Sequence, residues 1–429
     1  MFSNQLYFKT IIYLVLVTIF SQNVIGQRIS ERKFLKIIQN QEALKGSIVS
    51  AVFYDLEKNK NIVDFQSDKF MTPASNMKLF TFLAAITSFD SIPSLHYKKI
   101  EDKFYFWSSG YPLLAHPKYA DSIIVPFLSK QKDSLIYIDT KMESSPLGPG
   151  WAWDDKSYYF SAERSTFPFH GNVVGLIKNT NNDSIEFSPR YFSQNKSEIK
   201  INSPIEEILR NTKNDTLYIP FSTNYNLFTI LLSQQTGRSI LYSDNTDPSQ
   251  IKQYSSLYSG QEKTLYKALL HHSDNLIAES LMLMVSAKNN NRFNINIGIN
   301  SFVEKELSRI KSPPIWHDGS GLSRYNMATS KSIIYVLEKI YKKIGLKEIE
   351  ALFPSINNTS KGLSYEFLNK EFRVYAKTGT LKNNHCLSGY IIKSKKIILF
   401  SVMVNHYNSK LSDIQKAIGA IVELVINKV

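Results

Sequence analysis

Apolar positions recur along the chain with two different spacings, one helical and one strand-like. Helical spacing, with an apolar residue every three or four positions, predicts helices at 30–43, 79–89, 224–235, 262–286, 300–310, 330–343 and 411–426. Runs rich in β-branched and aromatic residues predict strands at 48–56, 61–65, 373–377, 387–392 and 397–405. Most of the helices lie between the two groups of strands, which predicts one sheet assembled from both chain ends.

The stretch from about residue 95 to residue 220 differs from the rest of the chain in its composition and pattern. It combines short strand-like runs with many Tyr and Phe residues and with turns rich in Asn, Ser and Asp. We interpret 95–220 as a mostly β inserted domain that interrupts a larger domain formed by 27–94 and 221–429. Its aromatic residues are expected mainly in its core, with a surface that stacks on glycans as the second interpretation. The predicted fold class is therefore α/β (α+β).

The composition excludes several classes of protein. With 429 residues, 43% of them apolar, the chain is suited to two or three globular domains rather than to disorder. One cysteine cannot form an internal disulfide or supply a cysteine-rich zinc or iron–sulfur site. The net charge of +14 is spread along the chain without a block of five basic residues. We therefore expect a lysine-rich solvated surface and no nucleic-acid partner.

The first 26 residues have the parts of a secretory signal peptide. Lys9 precedes an apolar stretch at 11–20, and Val24 and Gly26 suit cleavage before Gln27. This apolar run is about half as long as a bilayer span requires, and no later stretch is long and apolar enough to span. We expect export and removal of 1–26, which leaves a soluble protein outside the cytoplasm. An uncleaved anchor is the alternative.

Ser75-Asn76-Met77-Lys78 places a hydroxyl and an amino group three residues apart at a predicted helix start. That spacing puts both side chains on one face of a helix. A serine needs a base to remove its proton, and a lysine with a pKa lowered by burial or by neighbouring cations can be that base. Alone, the motif fits a surface serine and a solvated lysine equally well.

The triplet Ser-Asp-Asn occurs twice, at Ser273-Asp274-Asn275 and again starting at Ser243. The first copy lies within the helical stretch 262–286, on a loop between a helix at 264–270 and an apolar helix at 276–285, a position that can hold a hydroxyl rigidly. The second copy lies in a string of turn-forming residues with no apolar helix after it. We therefore choose Ser273 and Asn275 as site residues and interpret the Ser243 triplet as an ordinary turn.

Lys377-Thr378-Gly379-Thr380 ends a predicted strand. A lysine at a strand edge can hold a carboxylate, a glycine lets a ligand backbone approach, and the threonines offer hydroxyl and N–H donors. Alone, this motif fits a strand-end turn. The three motifs become a strong signal together, in this order, on a helix start, an inter-helix loop and a strand edge.

This set resembles the active-site serine penicillin-recognising enzymes, whose motifs are Ser-x-x-Lys, Ser-x-Asn and Lys-Thr-Gly. The separation of the first two motifs exceeds what a β-lactamase domain needs. A long insert there is similar to the D-alanyl-D-alanine carboxypeptidase/endopeptidases of the class C low-molecular-weight penicillin-binding proteins. The stretches 148–155 and 318–324 are similar to that family's Gly-x-Gly-Trp-x-Trp-Asp-Asp and Asp-Gly-Ser-Gly-Leu-Ser segments. The chain departs from the family at 109–112, where Ser-Gly-Tyr-Pro replaces the usual Gly-Asp-Pro.

The resemblance, which covers about residues 30–428, implies a transpeptidase-like domain with an antiparallel sheet flanked by helices. It implies a periplasmic enzyme whose partners are peptidoglycan stem peptides and β-lactams. In such an enzyme Ser75 would attack the carbonyl of the penultimate D-Ala, with Lys78 as the base. Ser273 would pass a proton to the leaving amine, and Asn275 would hold the substrate amide.

The third motif is implied to bind the end of the substrate. Lys377, with Thr378, Gly379 and Thr380, would hold the terminal carboxylate. The backbone N–H groups of Ser75 and Thr380 would form the oxyanion hole. Carboxypeptidase and endopeptidase preference is left open, as is a homo-oligomer.

Three alternatives use the same residues: a β-lactamase, an esterase and a catalytically silent peptidoglycan-binding scaffold. The large insert argues against the first, and the intact motifs argue against the last. Other constellations are missing from the sequence, namely Gly-x-Ser-x-Gly, His-Glu-x-x-His and the phosphate-binding Gly-x-x-x-x-Gly-Lys-Ser/Thr. We therefore expect neither a metal nor a cofactor.

Overall fold

The structure is a computed structural model that describes residues 28–178, 184–200, 216–244, 246–356, 365, 367 and 371–428. The predicted signal peptide, 1–26, lies outside the described residues. Among the helices that are described, none combines the length and the apolar character needed to cross a membrane.

The described strands and helices are numbered here in chain order. The strands are β1 Ile48–Asp55, β2 Lys60–Phe65, β3 Pro93–Ile100, β4 Lys103–Ser108, β5 Ser134–Ile138, β6 Val173–Lys178, β7 Ile185–Ser188, β8 Thr216–Pro220, β9 Ile240–Ser243, β10 Ser255–Tyr258, β11 Phe372–Leu381, β12 Asn384–Lys393 and β13 Lys396–Asn405. The helices are α1 Glu31–Gln39, α2 Met77–Ser88, α3 Ile124–Ser129, α4 Tyr225–Thr236, α5 Glu262–Leu270, α6 Asn275–Asn290, α7 Ile295–Glu306, α8 Ser330–Leu352 and α9 Leu411–Ile426.

The first sheet joins the two ends of the chain, as the strand pattern predicts. Its order is β11-β12-β13-β1-β2, and every neighbouring pair is antiparallel. One face packs on the apolar stripes of α1 and α9, and the other face packs on α2 and α8. Because both faces of the sheet are covered, nearly every residue of β12 and β13 is buried.

The residues of the insert form two smaller sheets. One has the order β10-β3-β4-β5-β9, with parallel pairs on both sides of β5, and the other has the order β7-β6-β8. The strands β9 and β10 follow residue 220, yet they flank strands of the insert. The sheet therefore draws on chain from both sides of the boundary proposed at 220.

The helical middle of the chain has the break predicted at Ser273 and differs from the pattern in two other places. The helical stretch 262–286 is two helices, α5 and α6, and Ser273 in the loop between them has a left-handed φ of 56°. The helix predicted at 300–310 lies at Ile295–Glu306, where Asn294 caps it by accepting from the N–H of Ile297. α8 extends beyond 343 and is broken at Gly345, whose φ is 72°.

Candidate active site

Ser75 lies in a single tight turn, Ala74–Asn76, that leads directly into α2. Two glycines pack against this turn from either side. A Cβ atom on Gly379 would lie 2.5 Å from the carbonyl oxygen of Pro73, and one on Gly321 would overlap the carbonyl of Ala74. The close approach predicted at Gly379 is therefore made by the serine's own turn. The β11 edge and the loop after Asp318 hold the hydroxyl at the end of the sheet.

Lys78, one helical turn after Ser75, is completely buried. Its Nζ lies 3.1 Å from Ser75 Oγ, 2.6 Å from Asn275 Oδ1 and 2.7 Å from the carbonyl oxygen of Ser320. The spacing of three residues thus brings the amino group to the hydroxyl, as predicted. An ammonium group has three donors, and all three have an acceptor here.

Burial lowers the pKa of Lys78 from its usual value near 10.5 to about 8, because the charged form loses hydration. The carboxylates of Asp318, Glu279 and Asp274 act in the opposite direction and limit the shift. The unprotonated amine is therefore accessible near neutral pH, which a general base requires.

Ser273 and Asn275 approach this lysine from the loop between α5 and α6. Ser273 Oγ accepts a hydrogen bond of 3.0 Å from Lys377 Nζ, so the second and third motifs meet. Asn275 is oriented by the carbonyl oxygen of Phe160, which accepts from its Nδ2 at 2.8 Å and leaves Oδ1 for Lys78. Asp274, between them, caps α6 by accepting from the N–H of Ile277.

Lys377 is also nearly completely buried. Besides Ser273 Oγ, its Nζ donates to the backbone oxygen of Thr378 at 2.8 Å. Burial and the positive charge of Lys78 hold the pKa of Lys377 well below its usual range. Thr378 is half-buried, and Thr380 is exposed with its Oγ1 2.7 Å from His385 Nδ1.

The second Ser-Asp-Asn triplet has a different place in the fold. Ser243 ends β9, an edge strand of the sheet β10-β3-β4-β5-β9, and its hydroxyl lies 2.9 Å from the hydroxyl of Thr246. Ser243 therefore belongs to that sheet, whereas Ser273 contacts the lysine of the third motif. Among the described residues there is also no cluster of three or more His, Cys, Asp or Glu side chains placed to hold a metal ion.

Comparison with known proteins agrees with this geometry. The model of the D-Ala-D-Ala carboxypeptidase 3 (S13) family matches residues 31–98 and 232–425, which include all three motifs. The chain belongs to this family. The resemblance to the class C low-molecular-weight penicillin-binding proteins is thereby confirmed, and the enzyme is a serine peptidase.

Two relatives show how far the likeness extends. The D-alanyl-D-alanine carboxypeptidase DacB of Haemophilus influenzae is 23% identical over 436 residues, or 86% of this chain and 88% of that one. The penicillin-sensitive carboxypeptidase A of Dictyostelium discoideum is 30% identical over 166 residues, or 36% of this chain and 32% of that one.

The fold is that of a solved penicillin-binding protein. The crystal structure of penicillin-binding protein 4 (dacB) from Haemophilus influenzae aligns with a TM-score of 0.67 at 21% identity. The alignment covers 92% of this chain and 98% of that chain. The predicted fold class is therefore confirmed.

Around the site of this S13 peptidase, the segment 318–324 forms a loop tied to the carboxylate of Asp318. That carboxylate is fully buried and accepts hydrogen bonds from the N–H groups of Gly321 and Ser323, from Asn326 Nδ2 and from Trp151 Nε1. The sequence singled out this segment and the Trp151 segment only by their resemblance. The structure shows that each is one half of the same hydrogen-bonded network.

One buried ion pair links the insert to the site, and the sequence pattern did not predict it. Arg164 of the insert donates to Glu279 of α6, with Nε and Nη2 2.8 and 2.7 Å from Oε2. The other oxygen of Glu279 accepts from the N–H of Ser320, whose carbonyl in turn accepts from Lys78. A helical Glu and a loop Arg more than a hundred residues apart leave no local signal that they will meet.

Proposed function

We propose that the enzyme hydrolyses the terminal peptide bond of peptidoglycan stem peptides that end in D-Ala-D-Ala, through an acyl-enzyme on Ser75. The observation that carries this proposal is the set of three oxygens around Lys78 Nζ. Two of them, Asn275 Oδ1 and the carbonyl of Ser320, can only accept a hydrogen bond. Of the three, only Ser75 Oγ can donate one.

This set of partners makes a neutral Lys78 a directed base. An unprotonated amine has two N–H bonds and one lone pair. The two acceptor-only oxygens take the N–H bonds, so the lone pair faces the hydroxyl of Ser75. Lys78 then removes the serine proton as the oxygen attacks the carbonyl carbon of the penultimate D-Ala, which forms a tetrahedral oxyanion.

The contact between Ser273 and Lys377 supports the roles of the other motifs. Ser273 Oγ accepts from Lys377, which leaves the serine's own proton free to protonate the leaving amine. The proton that Lys78 took from Ser75 then restores the Ser273 hydroxyl. The C–N bond then breaks and free D-Ala departs. The ammonium of Lys377 would hold the carboxylate of that D-Ala, assisted by Thr378 and Thr380.

The oxyanion is assigned to the backbone N–H groups of Ser75 and Thr380. The packing of Gly379 against the turn before Asn76 brings β11 beside the nucleophile, which supports this assignment. Each such donor typically contributes about 3 to 4 kcal/mol of transition-state stabilisation. A water molecule, activated by Lys78, then hydrolyses the ester and regenerates Ser75.

β-Lactams are expected to acylate the same serine, because their strained amide resembles the acyl-D-Ala-D-Ala bond. The name of the Dictyostelium relative records sensitivity to penicillin and supports this expectation. We place the enzyme in the periplasm, where its substrate lies, on the basis of the predicted signal peptide.

The experiment is mass analysis of the products released from intact muropeptides by the exported form of the enzyme. Loss of one D-Ala from pentapeptides, absent with Ser75→Ala, is the expected result. Conversion of cross-linked dimers to monomers would assign endopeptidase activity to the same site. Release of neither product, with retained hydrolysis of small esters or β-lactams, would contradict the proposal and favour an esterase or a β-lactamase.

A further inference from the structure

Behind the third motif lies a chain of three polar side chains, of which the reaction above uses only Thr380. Thr380 on β11 lies directly opposite His385 on β12, and its Oγ1 is 2.7 Å from His385 Nδ1. The other ring nitrogen, Nε2, is 2.5 Å from the hydroxyl of Tyr365. His385 and Tyr365 are buried, whereas Thr380 is exposed.

The chain ends beside the nucleophile. β11 is the outermost strand in the sheet order, and Gly379, the residue before Thr380, packs against the Ser75 turn. On the other side of Gly379, Lys377 meets Ser273. The hydroxyl of Thr380 is thus the only exposed member of a polar chain that runs from the core, at Tyr365, to the strand edge.

His385 is neutral, since burial and the charge of Lys377 lower its pKa to about 4. A neutral imidazole carries one N–H, so two arrangements are possible. With the proton on Nε2, the ring donates to Tyr365, and the Thr380 hydroxyl donates its hydrogen bond to Nδ1. With the proton on Nδ1, the ring donates to Thr380 and accepts from Tyr365. The Thr380 hydroxyl can then donate to another acceptor.

The second arrangement fits the surroundings better. Burial raises the pKa of the Tyr365 phenol, so this side chain keeps a proton to donate. Three donors then point the same way, and each hydrogen bond polarises the next. In the first arrangement Thr380 would present only lone pairs, which a substrate carboxylate would repel.

We propose that His385, held by Tyr365, is a positioning residue that keeps the Thr380 hydroxyl turned outward as a hydrogen-bond donor to the substrate's terminal carboxylate. The inference rests on the proposed function for the identity of that carboxylate. The hydrogen-bond chain itself is a property of the enzyme without substrate, so the two can be tested separately.

The first test is spectroscopic and needs no activity. Long-range ¹H–¹⁵N spectra of the full exported enzyme, with ¹⁵N-labelled histidine, distinguish a protonated ring nitrogen from a bare one. The His385 signals are assigned by their loss in His385→Asn. We expect the proton on Nδ1 in the wild type and its transfer, at least in part, to Nε2 in Tyr365→Phe. A wild-type proton on Nε2 overturns the proposal, whatever the kinetics show.

The second test uses two variants that differ in one group. His385→Asn places an amide N–H where the ring Nδ1–H stood. His385→Leu introduces a side chain that is similar in size to asparagine but has no hydrogen-bond donor. The substrates are a depsipeptide whose leaving group is D-lactate and its counterpart whose leaving group is ethanol. Both release an alcohol, but only the first has a carboxylate.

For His385→Leu we expect KM for the D-lactate substrate to rise by about tenfold or more, the usual effect of losing a hydrogen bond to a charged group. The ethanol ester should change by less than about threefold, and His385→Asn should recover most of the loss. Equal losses on both substrates in soluble, folded variants, or no recovery by Asn, would assign His385 a merely structural part and overturn the proposal. If the wild type hydrolyses neither substrate, the proposed function fails, while the spectra still decide the hydrogen-bond chain.

Discussion

Lys78 and Lys377 each place an amino group against a different serine of the site. Lys78 Nζ is 3.1 Å from Ser75 Oγ, and Lys377 Nζ is 3.0 Å from Ser273 Oγ. Both side chains are essentially buried, and the pKa of each is lowered by burial. The partners differ, because Lys78 has two acceptor-only oxygens and Lys377 lies at the strand edge where substrate would bind. We therefore propose two different roles for these similarly buried lysines.

The two lysines should respond differently to replacement by arginine. Lys78→Arg keeps the charge but cannot lose a proton near neutral pH, so acylation by penicillin should fall by about 10² to 10⁴-fold with little change in substrate affinity. Lys377→Arg should keep part of its activity, since an anchor needs charge and not deprotonation. Lys377→Ala should impair the D-lactate depsipeptide far more than the ethanol ester. Substantial activity in Lys78→Arg, or equal losses in Lys377→Ala, would show that the roles are misassigned.

The two Ser-Asp-Asn triplets provide a matched pair of variants. Ser273→Ala removes the hydroxyl that contacts Lys377, and we expect acylation to slow by about 10² to 10⁴-fold, the usual effect of a proton-transfer group. Ser243→Ala removes a hydroxyl that contacts Thr246 at the edge of its sheet, and acylation should stay within about threefold of wild type. Stopped-flow measurement with a fluorescent penicillin compares them directly. The reverse order of effects would disprove the choice of Ser273.

The rate of acylation should depend on pH through Lys78. The reactive form is the unprotonated amine, and its pKa in the folded enzyme is about 8. The acylation rate should therefore rise with pH by about tenfold per unit below 8 and level off above it. The measurement is the second-order rate constant with benzylpenicillin from pH 6 to 9.5, with circular dichroism at each pH as the control. A rate that is flat across this range would exclude Lys78 as the base.

The ion pair between Arg164 and Glu279 should be costly to break. Arg164→Met leaves the buried carboxyl of Glu279 without its partner, a change that typically lowers the free energy of unfolding by about 3 to 5 kcal/mol. Protonation of Glu279 would recover part of this loss. The control is Arg292→Met, which breaks an exposed pair with Glu143 and should cost at most about 1 kcal/mol. Chemical denaturation gives both values. Equal losses of unfolding free energy in the two variants would mean that the buried pair contributes no more to stability than the exposed pair.

Export should produce a shortened protein. Cleavage after Gly26 predicts that the mature chain begins at Gln27 or its cyclised form, because the apolar stretch of the signal is too short to remain as a bilayer span. Intact-mass analysis of the exported protein checks this. A mature species that retains Met1 would contradict the predicted cleavage and favour the uncleaved anchor.

Local patterns predicted the elements whose burial is regular along the chain. The apolar stripe of α9 was predicted at 411–426, where the helix lies, and β1 differs from its prediction by one residue. The break between α5 and α6 was predicted as well, because the Ser-Asp-Asn triplet at 273–275 was placed on a loop between two helices. Ser273, with its left-handed φ, lies in that loop.

The sequence by itself determined the proposed reactive groups of this protein, because helical spacing alone brings Ser75 and Lys78 together and three short motifs are typical of the family. Only the tertiary structure decided which groups assist them. The oxygen of Ser320, the pair of Arg164 with Glu279 and the contact of Thr380 with His385 come from chain folding over long separations or from strand pairing. Such contacts depend on which surfaces the folded domain buries against each other, and burial is also what lowers the pKa of both lysines.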